Sequence, residues 1–406
     1  MSSVKFIYPM PFDVRQLHEQ INRYAQAYQT TRCHREDRLA QLCAPLRDGF
    51  AHADALLETC RAATRIPGLR WASALFDAGE PINRQFPFGQ EPDRYALVAA
   101  DGSQILPDRH KPFVFAYVQV GCAGLVYGES RHPLVEQLRR VKRSQLIEES
   151  ALFDERTGEL KPPAEIVNLR DLMEIELMAQ ACRMARDADL QPVLVADGSL
   201  VPFALLTSRN LAYDAERLLN PLKAALSVIR DCGAWVCGYI DRPNSNSIAR
   251  TCALAGLSPD AVTERTLRER EREVAGVFDR HLLERELAPA HRTALFDPRW
   301  EVNAPQYLGE HAVRACYVNF GEPGRPIIAR IEAPQWCAGA IGALCAVLHR
   351  HARLGGGYPL ILKAAHEEAV VRQEDQHEIE QAIEQALLAS GILAQASFKQ
   401  EAKDRA

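Results

Sequence analysis

Two stretches of the sequence end an apolar run in Ala-Asp-Gly-Ser: YALVAADGSQI at 95–105 and QPVLVADGSLV at 191–201. The carboxyl ends of strands are where α/β sheets bind ligands. A Gly behind the aspartate allows a sharp turn and a close approach of a ligand to the backbone. Because Asp-Gly-Ser is also ordinary turn chemistry, two structural turns and one shared site containing Asp101 and Asp197 are both open interpretations.

A shared site would require a cation, because two carboxylates on neighbouring strands repel each other. Mn²⁺ and Mg²⁺ are hard cations that prefer oxygen ligands. Two such ions about 4 Å apart can activate a water molecule and stabilise the leaving oxygen of a phosphodiester. This chemistry needs further carboxylate or histidine ligands, and the sequence supplies candidates for both.

The acidic candidates lie in RDLMEIEL, where Glu174 and Glu176 are embedded among apolar residues. A carboxylate in so apolar a segment is costly to bury unless it is paired or bound to a metal. The alternative is that one or both face solvent on an amphipathic helix. Helix geometry leaves the choice open, because residues two apart point about 200° away from each other.

A second group of candidates follows the glycines of LGGGYPLILKAAHEEA and consists of Tyr358, Lys363 and His366. A single histidine is more often structural. At the start of a helix and after a strand-like run, however, His366 is a candidate metal ligand or general acid and base.

The elements that must position these residues alternate between strand-like and helical patterns, which predicts a layered α/β sheet. Apolar runs indicate strands before each Asp-Gly-Ser, and a helical pattern over 165–187 leads directly into the second one. Residues 13–65 show helical periodicity, and 255–300 are charged and helical, which predicts an arm outside the sheet.

These patterns divide the chain into an N-terminal helical region, a core in two segments, a helical insertion and a tail. The predicted bounds are 1–90 for the helical region, 91–254 and 305–392 for the core, 255–304 for the insertion and 393–406 for the tail.

Composition excludes several classes of protein. The net charge of −5 is not typical of a protein that coats nucleic acid. No run approaches 18 apolar residues and the N-terminus has no secretory pattern, so a cytoplasmic location is expected. The eleven cysteines include no C-x-x-C, which favours buried free thiols over a zinc site or disulfides.

In their order and spacing these motifs resemble the NurA nucleases, the partners of the hexameric HerA translocase in DNA end processing. The likeness rests on the two Asp-Gly-Ser strands, the glutamate-bearing helix between them and the C-terminal G-Y-P and A-H. It covers residues 91–250 and 312–380. The resemblance implies an RNase H-like mixed sheet flanked by helices, a homodimer, and a manganese-dependent deoxyribonuclease that could also use Mg²⁺.

The resemblance also implies roles for individual residues. Asp101, Asp197 and Glu174 would hold two metal ions, with Glu176 as the alternative to Glu174. His366 would be a further ligand or a proton shuttle, and Tyr358 would position phosphate or stack on a base.

In one place the sequence departs from the family. After WVCGYI the family often has a basic residue, whereas this chain has Asp241 followed by Arg242. Asp241 could add a fourth carboxylate, and Arg242 could bind DNA phosphate together with Lys363. The alternative is a polar turn.

The function predicted on this basis is metal-dependent cleavage of DNA, as a single-strand endonuclease and a 5′–3′ exonuclease. The protein would act with a HerA-type hexameric ATPase in the resection of double-strand break ends. Two alternatives stay open. One is an ATPase of the actin and sugar-kinase type, with LGGGYP as a weak adenosine loop. The other is an inactive DNA clamp or adaptor.

Overall fold

The structure is a computed structural model that describes residues 14–48, 53–66, 71–76, 79–129, 131–154, 156–207 and 215–392. The predicted tail lies outside the described residues. The strands are β1 (Leu75–Phe76), β2 (Gln85–Pro87), β3 (Tyr95–Ile105), β4 (Ala116–Tyr127), β5 (Lys142–Ile147), β6 (Gln191–Asp197), β7 (Trp235–Asp241), β8 (His291–Thr293), β9 (Phe296–Asp297), β10 (Val313–Asn319) and β11 (Ile328–Pro334).

Within the described residues these eleven strands form one mixed sheet, and helices flank it. The order is β1-β9-β10-β11-β7-β6-β3-β4-β5, and β8 pairs with both β10 and β2. The β3–β6 and β6–β7 pairs are parallel, and the other pairs are antiparallel. The predicted layered α/β sheet is confirmed at this level.

The helices are α1 (Val14–Asp48), α2 (Ala53–Thr64), α3 (Leu134–Arg139), α4 (Glu149–Leu152), α5 (Pro163–Asp187), α6 (Phe203–Thr207), α7 (Asn220–Asp231), α8 (Ser247–Ala253), α9 (Glu264–Val274), α10 (Asp279–Glu286), α11 (Ile341–Leu354), α12 (Leu360–Ala369) and α13 (Gln373–Ala389). A π-helical turn, Ala215–Leu219, precedes α7.

Helices α5 and α12 cover opposite faces of β3 and β4. Asp101 pairs with Gly121, so their positions share a face, and Gly102 points to the other one. A Cβ on Gly121 would lie 2.7 Å from the carbonyl oxygen of Glu368 in α12. A Cβ on Gly102 would lie 2.5 Å from Cγ of Arg170 in α5. The glycines therefore allow both helices to approach the sheet closely.

The long helix α5 follows from its sequence. Pro163 stands in its first turn, where a missing N–H costs nothing. Its buried side chains include Met173, Leu177, Met178 and Cys182, which recur at helical spacing and join the main core. This buried stripe fixes which face of α5 lies on the sheet.

The prediction that 255–304 forms a helical insertion outside the sheet is wrong for the last part of this segment. Helices α9 and α10 are present, but β8 and β9 belong to the sheet and pair with β10. Two- and three-residue strands are too short to show the alternation that identifies a strand in a sequence. Phe296 is fully buried and packs on Phe76 and Tyr317, which brings this segment into the sheet.

The N-terminal region shares a second core with this insertion. Leu39, Leu42 and Cys43 of α1 pack with residues of α8 and α10, including Ile248 and Leu283. The first half of α1 is different: four apolar side chains that recur there at helical spacing are exposed. These are Leu17, Ile21, Tyr24 and Tyr28. The region boundaries themselves stay predictions.

Two further expectations concern membranes and cysteines. Among the described helices, none has both the length and the apolar character needed to span a bilayer. All eleven cysteines are free thiols, and all but Cys33 are buried.

Candidate active site

The strand register brings the two Asp-Gly-Ser stretches together. β3 and β6 are parallel neighbours, and Ala100 lies opposite Ala196. Asp101 and Asp197 are the next residues on each strand, and paired strands lie about 4.8 Å apart. Asp197 is the last residue of β6, whereas β3 continues past Asp101 to Ile105 along β4, so the two carboxylates stand side by side where β6 ends. They line one cleft of about 380 Å³ together with Glu174 of α5.

The glycines after the two aspartates serve different purposes. A Cβ on Gly102 would lie 2.7 Å from Oε1 of Glu174, so this position admits the glutamate beside β3. Gly198 has a φ of +96°, a conformation that other residues adopt only with strain. The first glycine makes room for a side chain, and the second turns the chain.

The structure separates the two candidate glutamates. Glu174 lines the cleft, and its side chain is 13% exposed. Glu176 is 41% exposed and forms an ion pair with Arg143 of β5, outside the cleft-lining residues. Only Glu174 therefore stands with the two aspartates.

Glu174 is held in an unusual electrostatic environment. Burial is the main cause that raises the pKa of its carboxyl to about 8; Arg170 lowers this pKa, and the nearby carboxylates of Asp171, Asp101 and Asp197 add to the rise. Arg170 Nε lies 3.1 Å from Oε1 of Glu174. Both atoms are nevertheless buried without an aligned hydrogen bond. The cleft thus contains a carboxylate oxygen that lacks a suitable donor.

His366 and Tyr358 each contact one of the aspartates. Nδ1 of His366 lies 2.8 Å from Oδ2 of Asp101. The hydroxyl of Tyr358 donates to Oδ2 of Asp197 at 2.6 Å. Burial raises the pKa of Asp197, the Tyr358 hydrogen bond opposes this, and the carboxylates of Asp101 and Asp241 add to it. Burial, followed by the contact with Asp197, raises the pKa of the Tyr358 hydroxyl.

The glycines before Tyr358 explain how it reaches Asp197. Helix α11 ends at Leu354, and Gly356 and Gly357 have φ values of +73° and +115°. This left-handed backbone reverses the chain between α11 and α12. Helix α12 begins directly after this segment, and its His366 contacts Asp101.

Two cations that the sequence suggested for DNA binding lie near this cluster but outside the residues that line the cleft. Lys363 is exposed on α12, three residues before His366. Arg242 is exposed in the turn after β7 and has a φ of +42°.

Sequence reasoning missed Arg170, the cation inside the cleft. Its Nη1 donates to Gln104 at 3.0 Å and its Nη2 to Asp171 at 2.7 Å. The signal was present, because Arg170 stands four residues before Glu174 and such pairs face each other on a helix.

The residues fit a hard divalent cation in their chemistry. Four carboxylates, those of Asp101, Asp171, Glu174 and Asp197, line one cleft, and Oε1 of Glu174 has no aligned donor. In the part of the chain that the structure describes, no three His, Cys, Asp or Glu side chains are arranged closely enough to hold a metal ion. Oδ2 of Asp101 and of Asp197 contact His366 and Tyr358 instead. A cation would therefore require side-chain rotation within the cleft.

Fold and site together define an α/β protein with an acidic cleft where β6 ends beside β3. A family comparison makes this specific: the NurA domain matches residues 95–371, a span that contains every cleft residue named above. The chain belongs to the NurA family, a family of nucleases.

Comparisons with individual proteins add little. No curated protein matches the sequence. Among solved structures, the crystal structure of Drosophila Piwi shares 11% identity with a TM-score of 0.25. The match covers 67% of this chain and 29% of that one.

Proposed function

We propose that this protein is a metal-dependent deoxyribonuclease that hydrolyses phosphodiester bonds at the Asp101–Asp197 cleft. The observation that carries the proposal is the placement of these aspartates side by side on the adjacent parallel strands β3 and β6, with Glu174 beside them. Carboxylates in this arrangement are ligands suited to Mn²⁺ or Mg²⁺. Membership of a nuclease family supports the same chemistry.

In this proposal Asp101, Asp197 and Glu174 hold two divalent ions, which supply an activated water and stabilise the leaving oxygen. His366 is a further ligand or carries a proton at Nδ1, the atom that contacts Asp101. Tyr358 orients Asp197 through its hydroxyl and offers its ring to a base. Arg242 and Lys363 are proposed phosphate contacts at the edge of the site.

The core that carries these residues is proposed to be RNase H-like. Three antiparallel strands, β5, β4 and β3, are followed across the sheet by β6 and β7, which run parallel to β3. Helix α5 connects the antiparallel part to β6 and supplies Glu174. Strand order and site position support this fold.

Single-stranded DNA and 5′ ends are the proposed substrates, and a HerA-type hexameric ATPase and a second copy of the chain are the proposed partners. Family membership supports this assignment. The net charge of −5 is consistent with it, because an acidic protein captures DNA poorly and gains from a motor that feeds the strand. The biological process would be the resection of double-strand break ends.

The test is an assay of the purified protein with end-labelled single- and double-stranded DNA in Mn²⁺, Mg²⁺ or EDTA. We expect cleavage with a divalent ion and none in EDTA. Asp101→Asn and Asp197→Asn should each abolish cleavage while the circular dichroism spectrum stays unchanged. Asp260→Asn, at an exposed position outside the cleft, is the matched control. Cleavage by both cleft variants at the wild-type rate would refute the proposal.

A further inference from the structure

Strand β11 contains two charged residues where only apolar ones are expected. Every residue of Ile328–Pro334 is buried. Arg330 is 4% exposed and Glu332 is 0% exposed. Removing such a pair from water costs several kcal/mol, and apolar residues in its place are often as stable or more stable. A buried ion pair in the central sheet therefore calls for a specific role.

Glu332 holds the turn that follows Asp197. The hydroxyl of Ser199 donates to Oε2 of Glu332 at 2.6 Å, and the backbone N–H of Leu200 also donates to this carboxylate. Both donors belong to the Asp197-Gly198-Ser199-Leu200 turn. The carboxylate thus restrains the two residues that come directly after Gly198.

The same turn rests on strand β7 at close distance. The N–H of Gly198 donates to the carbonyl oxygen of Tyr239 at 2.7 Å. A Cβ on Gly238 would lie 2.5 Å from the carbonyl oxygen of Gly198 and 2.9 Å from the nitrogen of Leu200. Gly238 is also the register partner of Glu332. Strands β7 and β11 together therefore support the turn.

Burial raises the pKa of the Glu332 carboxyl, and Arg330 is the neighbouring cation that opposes this rise. Its Nε lies 3.0 Å from Oε1 of Glu332, and its Nη1 donates to the hydroxyl of Ser245 at 3.2 Å. The guanidinium also lies 5.2 Å from the ring centre of Trp300. The cation thus has neighbours on three sides, Oε1 of Glu332 faces it, and Oε2 is directed toward the turn.

We propose that Glu332 is a positioning residue for Asp197: it fixes the Ser199–Leu200 backbone and thereby the direction in which the Asp197 carboxylate enters the cleft. The inference rests on the proposed function, because the position of Asp197 matters to catalysis only if this carboxylate binds the metal. The serine that follows Asp101 has a different contact. Ser103 accepts a hydrogen bond from the N–H of Val371 instead.

The test uses Ser199→Ala, which leaves the buried Arg330–Glu332 pair intact and removes both the contact to Glu332 and the hydrogen bond that the Ser199 hydroxyl accepts from the N–H of Val201 at 3.2 Å. Ser227→Ala is the matched control, because the Ser227 hydroxyl contacts Nε2 of His311 at 3.0 Å, outside the cleft. Glu332→Gln is a second variant, which keeps the shape of the side chain and removes its charge. Calorimetry measures the affinity for MnCl₂. The values of kcat and KM are measured with single-stranded DNA, and amide hydrogen exchange is measured across residues 197–201.

For Ser199→Ala we expect faster exchange across the turn, a 10- to 100-fold weaker Mn²⁺ affinity and a lower kcat with KM unchanged, as is typical when the support of a metal ligand is lost. Ser227→Ala should bind and cleave like wild type. Wild-type Mn²⁺ affinity and kcat in both Ser199→Ala and Glu332→Gln would overturn the inference, even with faster exchange. A wild-type protein that neither binds Mn²⁺ nor cleaves DNA would instead refute the proposed function, and exchange alone would then decide whether Glu332 holds the turn.

Discussion

Gly102→Ala tests whether the space behind Asp101 is needed for the cleft. The added Cβ would lie 2.5 Å from Cγ of Arg170 and 2.7 Å from Oε1 of Glu174. Ordinary contacts begin at 3.4 Å, so Arg170 would have to move by about 0.9 Å. Gly102 does not have a positive φ, so the substitution introduces a steric conflict without backbone strain.

Two opposing effects set the expected loss of stability. Overpacking a tight site costs about 1–3 kcal/mol. Replacing a glycine within a strand recovers about 0.5–1 kcal/mol, because the unfolded chain loses conformational freedom. The free energy of unfolding should therefore fall by at most about 2.5 kcal/mol, and the protein should stay folded.

Activity should respond more strongly than stability. A catalytic group displaced by about 1 Å can cost about 100-fold in rate. We therefore expect kcat for single-stranded DNA to fall by about two orders of magnitude, measured beside a urea unfolding curve. Gly339→Ala is the control, because a Cβ there would meet no atom within 4 Å. Wild-type kcat in Gly102→Ala would refute the role assigned to Glu174.

Three further predictions follow from the site and the core. Tyr358→Phe removes the donor 2.6 Å from Asp197 and should lower kcat about 10- to 100-fold with little change in Tm; an unchanged kcat would argue against its role. In EDTA, the folded pKa of Glu174 of about 8 lies above the unfolded carboxyl value, so the folded state retains a proton that the unfolded state releases. The free energy of unfolding should thus fall as pH rises from about 4.5 to 8, less steeply in Glu174→Gln; identical urea-derived slopes in the two proteins would contradict this. Ellman's reagent should label one thiol, Cys33, in the native protein and all eleven in urea, and several fast native thiols would contradict the buried positions.

The convergence of Asp101 and Asp197 could be predicted because it depends on strand patterning. Two apolar runs that end in the same motif tend to end at the same edge of a sheet when the strands are parallel neighbours. The distinction between Glu174 and Glu176 could not be predicted. It depends on the rotation of α5 about its axis, and this rotation is set by contacts such as the one at Gly102, far away in sequence.

Glu332 shows a signal that sequence reasoning overlooked. The apolar residues of PIIARIEAP, at 326–334, indicate a strand, and two charges interrupt them. A charge within a buried strand needs a partner, and Arg330 stands two residues away, on the same face of the strand. The partner Ser199 could not be found this way, because the contact joins residues 133 positions apart.

The most direct test of the central claim is anomalous diffraction from crystals soaked in MnCl₂ and measured at the manganese edge. The account predicts a peak in the cleft with carboxylate oxygens of both Asp101 and Asp197 within about 2.0–2.6 Å. A protein that cleaves DNA in Mn²⁺ but shows its manganese peak elsewhere, or bound to neither aspartate, would contradict it.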